Sequence, residues 1–297
     1  MSSKVSKVYQ IVTDRIVEAL DNGVVPWSKP WKGGHALPYN MFSMDPEEGK
    51  FYQGVNVPLL WMSGFSDPRW MTFTQAKKND LKIKKGEKSS PVVFWKFIEK
   101  KDDNGEVIDT IPLLRYFRVY NAQQMEEPPP MEEHPQIDPV ENFENCKGMM
   151  DAYGIPIHHG GSVASYNVGL DKISIPEAGQ FKDVESYWAT LLHEAIHSTG
   201  HESRLDRDLD MSNKTSYAFE ELVAEVGSAF LCAKMGIERD DLTANHASYI
   251  AGWKKVLSED PKAFMRAAKL ARQASDYVLE YSGANEYTTD EEDEEAA

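Results

Sequence analysis

His193 and His197 stand four residues apart in the string Leu192-His193-Glu194-Ala195-Ile196-His197. On a helix that spacing is one turn, so both imidazoles project from one face and can grip a single metal ion. Glu194 lies beside them, within reach of a metal-bound water. The chemistry this pattern implies is hydrolysis: the ion lowers the pKa of its water, Glu194 takes the proton as general base, and hydroxide attacks a peptide carbonyl. Trp188, Leu191, Leu192, Ala195 and Ile196 give the same stretch an apolar face to bury.

A catalytic site of this kind needs a third protein ligand. His201 would stand about 12 Å along an unbroken helix from His193, too far to share the ion. In one known arrangement the third histidine follows the second by six residues, and that position here is Ser203. The remaining candidates are the carboxylates of Glu220-Glu221-Leu222-Val223-Ala224-Glu225, set in an apolar run that continues to Leu231. Carboxylates in such a run demand partners. Glu221 and Glu225 share a helical face, and no lysine or arginine sits at the spacing that would make them ordinary surface pairs.

Helices and strands must position these groups. Helical periodicity is expected over about 183–200, 216–236 and 245–281, the last broken near Asp260-Pro261. A helix over 140–153 and a strand at Asp171 to Pro176 precede the motif, and that strand is a candidate to align an extended peptide substrate. Residues 4–21 carry Val5, Val8, Ile11, Val12, Ile16 and Leu20 at helical spacing and stop at Asn22-Gly23. Residues 91–98 and 113–120 read as strands of a hairpin about 102–105. The fold class is α+β in two domains: 1–125, a Pro/Glu-rich extended linker at 126–139, and a mostly helical second domain with a small sheet at 140–285. An acidic tail at 286–297 is expected to be disordered. Cys146 and Cys232 form no metal-binding pair and read as buried thiols.

The net charge of −16 conceals an asymmetry. Residues 1–125 carry 18 Lys and Arg against 14 Asp and Glu, whereas the remainder carries 14 against 34. Between Arg69 and Lys101 ten basic residues face three acidic ones. Basic grooves with aromatic platforms bind single-stranded nucleic acid, and the first half interleaves both residue types. The candidate contacts are Trp27, Trp31, Lys32, Tyr52, Arg69, Trp70, Lys77, Lys78, Lys82, Lys84, Lys85 and Lys88, with the loop Lys82 to Lys88 foremost for phosphate. No segment reads as a membrane span or a secretory signal, so a cytoplasmic location with no membrane partner is expected.

The chain resembles the ArdC-type plasmid antirestriction proteins, which are related to the N-terminal part of some conjugation primases. In the first half the resemblance is carried by Val25-Pro26-Trp27 with Trp31, Tyr52-Gln53-Gly54-Val55-Asn56, Arg69 to Ala76, Lys85-Gly86-Glu87-Lys88 and Val119 to Gln124. In the second it is carried by Tyr166-Asn167, Asp171-Lys172-Ile173, Leu192 to His201, Arg204 to Arg207 and Glu220 to Glu225. It implies a domain that binds single-stranded DNA and a zincin-type metallopeptidase domain acting on an unidentified protein substrate, together protecting incoming DNA from restriction during conjugation. It also implies one divalent ion, Zn²⁺ or alternatively Mn²⁺, held by His193, His197 and Glu221. Glu225 then accepts a hydrogen bond from a ligand histidine, or exchanges roles with Glu221. The competing reading is a protein that coats single-stranded DNA and keeps the zincin fold only as a scaffold.

Overall fold

The computed structural model describes residues 3–27, 37–43, 51–101, 107–130, 139–207, 209, 213–237 and 243–282. Trp31, Lys32, most of the expected linker and the acidic tail lie outside the described residues. The first half opens with α1 (Ser3–Asp21) and continues through β1 (Tyr39–Asn40), α2 (Asn56–Trp61), β2 (Arg69–Thr72), α3 (Phe73–Lys78), β3 (Ser90–Lys101) and β4 (Val107–Asn121). The strands form one sheet in the order β1-β2-β4-β3, with β1 parallel to β2 and the other pairs antiparallel. The β3–β4 hairpin is the one expected from sequence, longer at both ends. The short β1, β2, α2 and α3 lie outside the elements that sequence periodicity predicts. Thr72 ends β2 and starts α3 through a capping box with Gln75, a signal that was present in the sequence.

In the second half α4 (Pro139–Tyr153) leads to β5 (Ile157–His159), β6 (Ser165–Asn167) and β7 (Lys172–Ile175). The helices α5 (Val184–Ser198), α6 (Lys214–Met235), α7 (Thr243–Glu259) and α8 (Ala263–Leu279) follow. The helices and β7 were expected whereas β5 and β6 were not, and the helix ends follow local chemistry. Asp183 caps α5 by accepting from the Ser186 amide, Asn213 caps α6, and α6 stops at Gly236 in the left-handed conformation. The small sheet has the order β5-β7-β6, so β7 is its central strand. Both flanks of β7 are occupied by main-chain partners, and the expectation that this strand receives a peptide substrate is corrected: the exposed edges belong to β5 and β6.

The two halves share one apolar core. Val8, Val12, Ile16 and Leu20 from α1 pack in the same cluster as Trp253, Leu257 and Phe264 from α7 and α8. Trp27 is 1% exposed, edge-on to Trp253 at 5.1 Å and stacked on Phe264 at 6.0 Å. Trp61 meets Phe230 of α6 at 6.3 Å. Cys146 and Cys232 are both buried, as expected. Among the described residues no helix is long and apolar enough to cross a membrane.

Candidate metal centre

Helix α5 places His193 and His197 one turn apart, with their Nε2 atoms 3.1 Å from each other. Helix α6 crosses α5 closely enough for Glu221 to reach both. Its Oε2 is 3.6 Å from His193 Nε2 and its Oε1 is 3.6 Å from His197 Nε2. Gly227 permits this approach: a Cβ there would meet Ile196 Cγ2 at 3.0 Å and the Ala271 carbonyl of α8 at 3.2 Å. The three side chains offer ligand atoms within 4.8 Å of one another. Donors about 2.0–2.1 Å from a tetrahedral zinc would be separated by roughly 3.3 Å, so the observed spacings suit one ion with little adjustment. The donor set, two imidazoles and one carboxylate, also suits a divalent transition metal.

Each imidazole has a carboxylate on its other nitrogen. His197 Nδ1 lies 3.2 Å from Glu220 Oε1, and His193 Nδ1 lies 3.8 Å from Glu225 Oε1. Such partners fix the ring orientation and strengthen it as a ligand. Glu225 thus faces His193 from outside the trio, at a charge contact longer than a hydrogen bond. Sequence reasoning named Glu220 among the candidate carboxylates and assigned it no role. This carboxylate also receives Arg207, whose Nη2 is 2.7 Å from Glu220 Oε1 and whose Nε is 3.1 Å from Oε2. Arg207 donates as well to the Ile196 carbonyl and to Thr199 Oγ1, pinning the end of α5. The sequence signals were a carboxylate set in an apolar run and the presence of Arg207 and Glu220 inside two strings that carried the family resemblance.

Burial by itself lowers the His197 pKa and raises those of Glu220 and Glu221, yet the contacts among them win in every case. Glu220 and then Glu221 hold the His197 pKa up at about 10. His193 and His197 keep Glu221 well below the usual carboxylate range, and His197 with Arg207 does the same for Glu220. The cluster is therefore rich in negative charge and favours a cation among its rings. Glu194 is buried beside His193, and among the described residues no hydrogen bond or ion pair engages its carboxylate. His201 points elsewhere, to Ser203 at 2.8 Å.

Tyr217 stands beside Glu221, whereas Tyr166 does not. The Tyr217 hydroxyl is 3.2 Å from that of Tyr249, and burial, Tyr249 and Glu221 all push its pKa up. Tyr166 is instead bonded to Asp171 at 2.7 Å, in a cluster where Arg204 binds Asp171 and donates to the Ser198 carbonyl. That cluster ties the β6–β7 turn to the end of α5.

The candidate DNA contacts of the first half separate sharply. Trp27 and Trp70 are sealed in the core, and a ring with no free face cannot stack on a base; this corrects the expectation for both. Arg69 is also corrected. It is 6% exposed, paired with Asp67 at 2.8 Å, and donates to the carbonyls of Pro129 and Pro130, so it fastens the outgoing chain to β2. Tyr52 is half-buried against Leu60 and Trp70, and burial pushes its phenol up to about 12. Lys77, Lys78, Lys82, Lys84, Lys85 and Lys88 are exposed, with Lys84 Nζ donating to the Gln123 carbonyl at 2.9 Å. Trp31 and Lys32 are outside the described residues.

Comparison with known proteins agrees with both halves. Residues 6–120 match the N-terminal domain of anti-restriction factor ArdC, and residues 144–270 match a zincin-like metallopeptidase family. A DNA primase TraC of Escherichia coli is 38% identical over 292 residues, which is 92% of this chain. The chain spans only 27% of that primase's length. The uncharacterized protein y4eC of Sinorhizobium fredii (strain NBRC 101917 / NGR234) is 34% identical over 91% of both chains. The crystal structure of antirestriction ArdC protein from the R388 plasmid, metal-free, superposes with a TM-score of 0.75 at 35% identity, covering 93% of this chain and 97% of that one. Its Mn(II)-bound form gives 0.74 at 34% identity, covering 93% and 98%. With a basic N-terminal sheet domain joined to a two-histidine, one-glutamate centre, and with relatives matching along almost its whole length, the chain belongs to the ArdC-type antirestriction protein family.

Proposed function

We propose that this protein binds single-stranded DNA through its first half and hydrolyses peptide bonds at the metal centre of its second, protecting incoming DNA from restriction. The observation that carries the peptidase limb is the convergence of His193, His197 and Glu221 with Glu194 adjacent on the same helix. The Mn(II)-bound form of the R388 relative supports a divalent ion. A divalent ion held by these three residues supplies Lewis acidity toward a peptide carbonyl and lowers the pKa of water toward about 7.

The chain's own residues supply the rest. Glu194 accepts a proton at its carboxylate and returns it to the leaving amine. Glu220 and Glu225 hold the two imidazoles in orientation, and Arg207 keeps Glu220 charged and in place. Tyr217, beside Glu221, is the group best situated to donate a hydrogen bond to a developing oxyanion. The protein substrate lies extended along the free edge of β6, the strand next to α5. In the first half, the exposed lysines from Lys77 to Lys88 contact phosphates and give affinity without sequence preference.

The test is Glu194→Gln, which removes the base and keeps the ligands. It should leave metal content and DNA binding intact while abolishing protection of transferred DNA from a restriction enzyme. Full protection by that variant would show that the zincin half is scaffold and that coating of DNA suffices.

A further inference from the structure

Helix α1 and the hairpin β3–β4 enclose a groove of about 520 Å³, within the range of small-ligand sites. Arg15 reaches it from α1, Lys88 from the approach to β3, and Tyr116, Arg118 and Tyr120 from β4. The strand period explains this lining: residues two apart on β4 share a face, and this series continues the face of Leu114, which is buried in the core shared with α1. The alternate series presents Arg115 and Phe117 on the opposite face, where Phe117 meets Phe94 at 5.8 Å.

The groove carries a cationic excess, with Arg15, Lys88 and Arg118 against the one lining carboxylate of Glu87. Among the described residues no ion pair engages Arg15, Lys88 or Arg118. The carboxylate on the lining, Glu87, accepts a hydrogen bond from Gln124 Nε2 at 2.8 Å and is held by it. Arg15 is half-buried, and this burial disfavours its charge, so an anion beside it would be welcome. Tyr116 is 41% exposed and presents ring surface to the solvent.

We propose that this groove holds nucleotides of single-stranded DNA, with phosphates against Arg15, Lys88 and Arg118 and bases against Tyr116 and Tyr120. The assignment rests on the reading of the first half as a single-strand binder and adds the site, which sequence reasoning missed apart from Lys88. An acidic peptide would use the cations alone, whereas a nucleotide uses the cations and the rings together. The exposed basic loop also leads into the groove at Lys88, so one strand can follow both.

The experiment is fluorescence anisotropy of the full-length protein with a labelled oligothymidylate of about twenty nucleotides, long enough for one fold's binding site. Titrations are repeated over a range of salt concentrations. Lys88 and Arg118 are exposed, so Lys88→Gln with Arg118→Gln leaves the core intact, which an unchanged thermal midpoint verifies. The pair should lower affinity and reduce the salt slope by about 1.4, at roughly 0.7 per lost phosphate contact. Tyr116→Ala should weaken binding about tenfold with its salt slope unchanged, since stacking carries no counterion release. Arg115→Gln, on the other face, should match wild type. The assignment is overturned if groove variants bind like wild type, if Arg115→Gln costs as much, or if oligoglutamate competes as well as oligothymidylate. Failure of wild type to bind at all would remove the single-strand reading along with the groove.

Discussion

Arg207 and Glu220 form a buried ion pair, Nη2 to Oε1 at 2.7 Å, and the same glutamate oxygen lies 3.2 Å from His197 Nδ1. A loop residue thereby reaches a metal-ligand candidate through one carboxylate. Removing either member leaves a buried charge behind. Arg207→Ala should destabilise the fold by about 3–5 kcal/mol, as broken buried pairs do. Glu220→Gln should keep more stability and lose metal affinity by about 10–100-fold. Chemical denaturation and metal titration of both variants check this.

Gly227 sets the distance between the helices that carry the ligands. Gly227→Ala forces its methyl against Ile196 and the backbone carbonyl of Ala271. The carbonyl cannot swing away as a side chain would, so overpacking should cost about 1–3 kcal/mol. Because Ile196 precedes His197, metal affinity should fall alongside the thermal midpoint. A drop in midpoint with unchanged affinity would detach the helix spacing from the centre.

Asp171 gives the acid limb of stability. Its hydrogen bonds from Arg204, then Tyr166, lower its pKa from 3.8 to about 2 against the opposing effect of burial. A depressed folded pKa contributes stability above the unfolded value that is lost as pH falls toward the folded one. The contribution is therefore present above about pH 4 and gone near pH 2. Asp171 is 37% exposed, so solvent screening makes the effect small. Urea unfolding of wild type and Asp171→Asn should differ at neutral pH and converge across that window.

Trp27 tests whether an aromatic residue in a basic half serves DNA or the core. Trp27→Ala should destabilise the protein by about 3–5 kcal/mol, seen as a lower denaturation midpoint. Where the variant remains folded, the salt slope of DNA binding should equal that of wild type, because the lost ring contacted Trp253 and Phe264.

What the sequence disclosed follows from range. His193, Glu194 and His197 were legible because one helical turn assembles them, and Glu221 because a carboxylate in an apolar run needs a partner. The long helices showed in periodicity and caps. Glu220 with Arg207 was not legible, since only the fold-back of the loop after α5 joins them. Trp27, Arg69 and Trp70 looked like surface groups because composition does not report burial. The central place of β7 depends on strand order, which its four residues do not encode. The groove between α1 and β4 joins Arg15 to Arg118 across a hundred residues of chain, about as far from local pattern as a site can be.

The most direct test of the centre is elemental analysis after loading with Zn²⁺ or Mn²⁺, on wild type, Glu194→Gln, Glu225→Ala and Glu221→Ala. Wild type and Glu194→Gln should retain one equivalent. Glu225→Ala should retain it with weaker affinity, about 10–100-fold by titration, as for a group that orients a ligand. Glu221→Ala should retain none. An equivalent kept by Glu221→Ala and lost by Glu225→Ala would contradict the account and transfer the ligand role to Glu225.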